Sequence, residues 1–79
     1  MSAVYLLTKP NCPLCTQALQ MLHQLALEEP VELGVIDISE QDDLQEEYGW
    51  LVPVFVKAND DSELRWPFDE KQLLEFIEQ

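Results

Sequence analysis

Basic residues are scarce: four Lys and Arg stand against sixteen Asp and Glu among 79 residues, a formal charge of -12. Such a surface repels nucleic acid and anionic membranes, so neither is an expected partner, and a macromolecular partner is expected to be basic or neutral. The plainest role of the acidic residues is to keep helix faces solvated. Long apolar runs are missing too. The longest are Ala3 to Leu7 and Leu51 to Val56, the second interrupted by Pro53, and Met1-Ser2-Ala3 carries no basic stretch. Neither a secretory signal nor a membrane-spanning helix is therefore expected. Cysteine is confined to Cys12 and Cys15, in one motif. That argues against a secreted scaffold stapled by several disulfides and implies a reducing, cytoplasmic setting. Repeats, linkers and low-complexity segments are absent, so residues 1–79 read as a single domain. At this length only about 60% of the unfolded surface can be buried, so the core has to be tight.

What is present alternates between strand and helix patterns. Ala3 to Leu7 reads as a strand buried on both faces, ending at Thr8-Lys9-Pro10-Asn11. Leu14, Ala18, Met21, Leu22 and Leu25 recur at helical spacing, with a stop expected before Pro30. Val31 to Ile38 is a second strand, in which Gly34 marks a bulge or a close helix contact. Ser39 is the expected N-cap of a short acidic helix from Glu40 to Tyr48, with Gly49 as its stop. Trp50 to Val56 and Glu63 to Trp66 read as two strands of a hairpin around the turn Asn59-Asp60-Asp61-Ser62. The last helix opens on a capping box, Asp69 with Gln72, and a staple of Phe68 on Leu73. The order predicts an α/β fold, β-α-β-α-β-β-α, with a four-stranded mixed sheet and helices on both faces.

Chemistry is concentrated in Cys12-Pro13-Leu14-Cys15. The motif falls at a helix start, where free N–H groups and the helix dipole favour an anionic sulfur at Cys12, and Pro13 lacks the N–H that a first turn leaves unpaired. One helical turn brings Cys15 close to Cys12, so that thiolate and disulfide can interconvert. Three other roles compete with this redox pair. Structural zinc wants four ligands, and the chain adds one histidine, His23, to its two Cys. Haem attachment wants His after the second Cys, where Thr16 stands. Inert core cysteines are the third. The redox pair is the favoured reading.

Taken together, Cys12 to Cys15, Val35-Ile36-Asp37-Ile38, Tyr48-Gly49, Val52-Pro53-Val54 and Leu64-Arg65-Trp66-Pro67-Phe68-Asp69 resemble a short glutaredoxin-like protein of the thioredoxin-fold superfamily. The resemblance covers nearly the whole chain. It implies Cys12 as exposed nucleophile and Cys15 as the more buried resolving thiol. It also implies a cis peptide before Pro53, where the residues alone are satisfied by a trans one, and a Val52 backbone free to pair with an extended thiol substrate. Glutaredoxins hold glutathione with a Lys three residues before the first Cys, with the Val-cis-Pro backbone and with a Gly-Gly-x-x-Asp stretch. Lys9, Val52-Pro53 and Asp69 match that pattern, whereas Arg65-Trp66 occupy the glycine pair and a bulky Trp narrows a groove that glycine would leave open. Leu14, standing where Tyr or Phe is frequent, makes the rim apolar.

The expected function is that of a small thiol–disulfide oxidoreductase with no bound cofactor, acting as a monomer on a disulfide-containing protein or on glutathione. Its electrons would come from glutathione or from a thioredoxin-reductase-type flavoenzyme. The alternatives are a redox-sensing or protein-binding adaptor and, behind it, a metal or iron–sulfur carrier bridged by two chains. Lys9 reads either as a carboxylate-holding cation beside Cys12 or as an ordinary loop lysine. Trp50 and Trp66 read as core or rim hydrophobes, and His23 as a solvated helix residue.

Overall fold

The computed structural model describes residues 2–25 and 31–78. Strand β1 (Ser2–Thr8) leads into helix α1 (Pro13–Gln24), followed by β2 (Val31–Asp37), a 3-10 turn (Ile38–Glu40) and α2 (Asp42–Tyr48). The hairpin β3 (Val54–Lys57) and β4 (Glu63–Arg65) precedes α3 (Glu70–Glu78). The sheet order is β2-β1-β3-β4. β1 runs parallel to β2, with Leu6 opposite Val35, and antiparallel to β3, with Leu6 opposite Phe55. Four strands of mixed direction therefore centre on β1, the strand that ends beside the cysteine motif. The Pro30 expected to follow α1 lies outside the described residues.

Alternation along the strands splits the interior into two clusters. Val4, Leu6 and Phe55 face one way and pack with Ala18 and Leu22 of α1 and Leu73, Phe76 and Ile77 of α3. Leu7 and Val54 face the other way and pack with Ile38 and Val52, against Leu44 and Tyr48 of α2. Phe55, Leu6, Ile38 and Leu73 are fully buried, each worth roughly 1.5–3 kcal/mol relative to exposure. Helices thus cover both faces. Coverage is uneven, because seven residues of α2 span only about 10 Å. Expected burial of β1 on both faces accordingly holds for Val4, Leu6 and Leu7 but not for Tyr5, which is 40% exposed.

Three local expectations need correction. Gly34 is neither a bulge nor a helix contact: it lies opposite Tyr5 in the ladder, where an added Cβ would sit 2.6 Å from Tyr5 Cδ1. Ser39 does not cap α2. Its N–H and hydroxyl both donate to Asp37 Oδ1, at 2.9 and 2.6 Å, which builds the 3-10 turn, and α2 starts later behind Gln41 without a side-chain cap. The third strand begins at Val54 rather than Trp50, because Leu51 and Val52 turn their N–H groups back to Tyr48 O. The capping box of α3 forms as expected: Gln72 N–H donates to Asp69 Oδ1 at 2.7 Å, and Asp69 N–H to Gln72 Oε1 at 2.9 Å.

Candidate redox site

Asn11 adopts a left-handed backbone, φ 58, a conformation that Asn tolerates better than most residues. The chain turns there, and Cys12 becomes the N-cap of α1 with extended dihedrals of φ -110 and ψ 98. Pro13 follows in the first turn. Cys15 N–H donates to Cys12 Sγ at 3.2 Å, so sulfur takes the place usually held by a hydroxyl or carboxylate. No acidic residue lies in the first turn of α1, leaving that sulfur as the group that meets the positive end of the helix.

Cys12 and Cys15 are joined as a disulfide with Cα atoms 5.3 Å apart, within the ordinary range for such a bond. Their environments differ. Cys15 is 5% exposed and belongs to the cluster of Leu7, Ile38, Val52 and Val54, whereas Cys12 is half-buried and packs against that cluster from outside. Cys12 is thus the less buried of the pair. Leu14 between them is 40% exposed, which gives the rim an apolar edge.

Val52 is 8% exposed and shares the Cys15 cluster, and the Val52-Pro53 peptide is cis. Its N–H donates to Tyr48 O at 3.1 Å, alongside Leu51 N–H at 2.8 Å. Of the Val52 backbone expected to be free for a substrate, the N–H is engaged by the end of α2. Pro53 O accepts from Trp66 N–H at 3.3 Å, and the Trp66-Pro67 peptide is cis as well. The Trp66 ring is half-buried, packed edge-on against Phe68 at 5.0 Å.

Lys9 is placed on the α2 side of the motif, where Nζ donates to Gly49 O at 3.0 Å. Asp69 is exposed and serves as the cap of α3, reached through the stretch that Trp66 ties to Pro53. The structure thus gathers Cys12, Cys15 and Val52 into one packed group, and sets Lys9 in an adjoining pocket. Of the core and rim placements expected for Trp50, the core one fails: the side chain is 96% exposed, on the edge of that pocket. Sequence reasoning also missed the Tyr48–Glu63 pair, whose members sit on separate elements and carry no spacing signal. Among the described residues, no three His, Cys, Asp or Glu side chains come together as metal ligands. None of their helices is long and apolar enough to cross a membrane.

A parallel β-α-β unit joined to an antiparallel hairpin, with a Cys-x-x-Cys disulfide capping its first helix beside a cis-Pro, defines a thioredoxin-like redox domain. Residues 3–78 match the family described as Glutaredoxin-like domain (DUF836), and the chain belongs to that family. Among solved structures, the crystal structure of the Xanthomonas campestris protein XcR50 is similar, with a TM-score of 0.81, 29% identity and 95% coverage of both chains. The solution structure of XcR50 superposes with a TM-score of 0.73 at 30% identity, over 99% of this chain and 94% of that one. A point mutant of thioredoxin from Halobacterium salinarum matches with a TM-score of 0.74 at 25% identity, over 98% of this chain and 72% of its own. No curated protein matches the sequence.

Proposed function

We propose that the protein is a small thiol–disulfide oxidoreductase whose Cys12–Cys15 dithiol reduces a disulfide in a protein substrate. The Cys12 thiolate attacks one substrate sulfur; a Cys12–substrate bond forms, the substrate S–S bond breaks, and the released thiolate takes a proton from solvent. Cys15, losing its proton to solvent, then attacks Cys12 Sγ. The mixed disulfide breaks, the second substrate sulfur leaves as a thiolate that is protonated in turn, and the Cys12–Cys15 disulfide closes. Two electrons pass from the dithiol to the substrate, and a donor thiol or dithiol restores the starting state.

The observation that carries this reading is the asymmetry of the pair: a half-buried Cys12 whose sulfur accepts the Cys15 N–H at a helix start, with a 5% exposed partner beside it. Arg65-Trp66, standing where glutaredoxins carry two glycines, favours a thioredoxin-reductase-type flavoenzyme over glutathione as donor. The test is equilibration in glutathione buffers of graded ratio with the Cys12–Cys15 state read by mass, followed by turnover assays coupled to each donor. A reversible intramolecular disulfide and turnover with one of the donors are expected. Thiols that stay reduced throughout, or no turnover with either donor, would sink the enzyme reading and leave the adaptor in its place.

A further inference from the structure

A pocket of about 230 Å³ opens between the cysteine loop and α2, lined by Lys9, Ile38, Ser39, Gln45, Gly49 and Trp50. One of its walls, Ile38, belongs to the cluster that packs Cys15 and Val52. Lys9 belongs to the loop that delivers Cys12, and Trp50 stands two residues before Val52, which packs with Cys15. The volume falls below the roughly 300–1,000 Å³ of sites that enclose a drug-sized ligand. It suits one side chain of a larger partner.

Trp50 is the second observation. A tryptophan 96% exposed gains nothing from the fold of its own chain, and the indole is the side chain most enriched among residues that anchor protein interfaces. Charge then selects the occupant. Between Ile38 and Val52 there are five acidic residues, Glu40, Asp42, Asp43, Glu46 and Glu47, and no Lys, Arg or His. All five are exposed, and among the described residues none forms an ion pair. Asp42 neighbours Gln45 of the pocket wall at i,i+3 spacing on the same helix. Lys9 is the one charged residue of the lining, with Nζ turned to Gly49 O at 3.0 Å, and the five carboxylates flank the pocket rather than line it. A second copy of this chain, carrying the same charge of -12, would meet repulsion here.

We infer that this pocket docks a basic segment of the protein whose disulfide the cysteine pair reduces, with an apolar side chain of that segment seated against Trp50 and its Lys or Arg facing the α2 carboxylates. The inference rests on the oxidoreductase reading and narrows it to basic protein substrates. Trp50 and the α2 carboxylates are specificity determinants, outside the sulfur chemistry.

Binding is separated from chemistry by using the Cys12→Ser/Cys15→Ser chain in titration calorimetry. Two synthetic peptides of equal length are compared, each built around one disulfide and one Leu, with Lys and Arg at the flanking positions of one and Glu at those of the other. The basic peptide is expected to bind more tightly, and to lose affinity as salt screens the carboxylates. Trp50→Ser should weaken that binding about tenfold, the loss typical of an interface anchor. Asp42→Lys/Glu46→Lys should shift preference toward the acidic peptide. Equal affinity for both peptides, unchanged binding by Trp50→Ser, or self-association through this face in sedimentation would each overturn the inference. Pre-reduced native chain, offered both peptides and 2-hydroxyethyl disulfide, forms the second arm. Failure to reduce any of the three would count against the oxidoreductase reading, while calorimetry still decides the docking.

Discussion

The Tyr48 hydroxyl donates to Glu63 Oε2 at 2.5 Å and so ties the end of α2 to β4, fifteen residues further along the chain. Arg65 completes the group, with Nε and Nη2 donating to Glu63 Oε1 at 3.1 and 2.9 Å. Since Tyr48 O also holds the N–H groups of Leu51 and Val52, one residue connects the hairpin to the turn that leads into the cis-Pro. The pair also sets each partner's titration. The Glu63 hydrogen bond, with burial behind it, pushes Tyr48 up to about 12, and the Tyr48 hydroxyl, aided by Arg65, holds Glu63 below the usual carboxylate range.

Tyr48→Phe is expected to cost about 1–2 kcal/mol at neutral pH, the low end for a hydrogen bond to a charged group because Glu63 retains some solvent contact. The sign of the pH dependence follows from linkage. Tyr48, raised in the folded state, contributes stability that is complete below its ordinary value of 10.0 and is lost as pH rises toward about 12. Glu63, lowered in the folded state, contributes stability that is present above its ordinary 4.5 and is lost as pH falls through its folded value. Urea unfolding of native and Tyr48→Phe chains across pH measures both limbs. A difference between them that does not shrink at either extreme would refute the coupling.

The cysteines should behave unequally when each is replaced by Ser. If Cys12 attacks and Cys15 resolves, Cys15→Ser keeps the attacking sulfur and loses the resolving one, so its mixed disulfide with a substrate should accumulate, visible as a stable mass adduct. Cys12→Ser should form no adduct under the same conditions. Placing a hydroxyl at the 5% exposed Cys15 position is expected to cost about 1–3 kcal/mol if it finds no partner there.

Gly34→Ala tests the cross-strand contact with Tyr5. The new methyl would meet Tyr5 Cδ1 at 2.6 Å and Cε1 at 2.8 Å, so the ring or the strand must shift, at a cost of about 1–3 kcal/mol. Tyr5→Ser removes the obstacle. In a double-mutant cycle read by thermal unfolding, the penalty of Gly34→Ala should largely vanish in the Tyr5→Ser background, and purely additive effects would count against the contact.

Asp69→Ala should lower stability by about 1 kcal/mol through loss of the cap on the α3 N-terminus. Asp69→Asn, which keeps an acceptor for Gln72 N–H, should recover most of it. Comparison of both variants in thermal denaturation settles whether the side chain works chiefly as a cap, since that role predicts the ranking native, Asn, Ala.

Much of this was legible from residues whose partners lie within a turn or two. The capping box of Asp69 and Gln72, Cys12 and Pro13 at the start of α1, and the hairpin around Asp60 and Ser62 all depend on local chain geometry. The candidate site was legible to the same depth: Cys12, Cys15 and Val52 do assemble, and the cis bond before Pro53 followed from likeness to a family rather than from any local preference.

Where the reading went astray, two groups competed for one partner, or a side chain's neighbour came from a distant strand. Asp37 took the hydroxyl of Ser39 before it could cap α2, and Tyr48 O took the Val52 N–H. Composition and periodicity alone determined the element order, the two-faced sheet and the helix-capping cysteine pair, because apolar spacing and cap chemistry act over a few residues. Only tertiary structure decided that Tyr5 covers Gly34, that Tyr48 reaches Glu63, and that Trp50 stands in solvent beside Lys9. Those outcomes depend on which surfaces remain uncovered after the helices have packed, a property of the whole chain that no single stretch encodes.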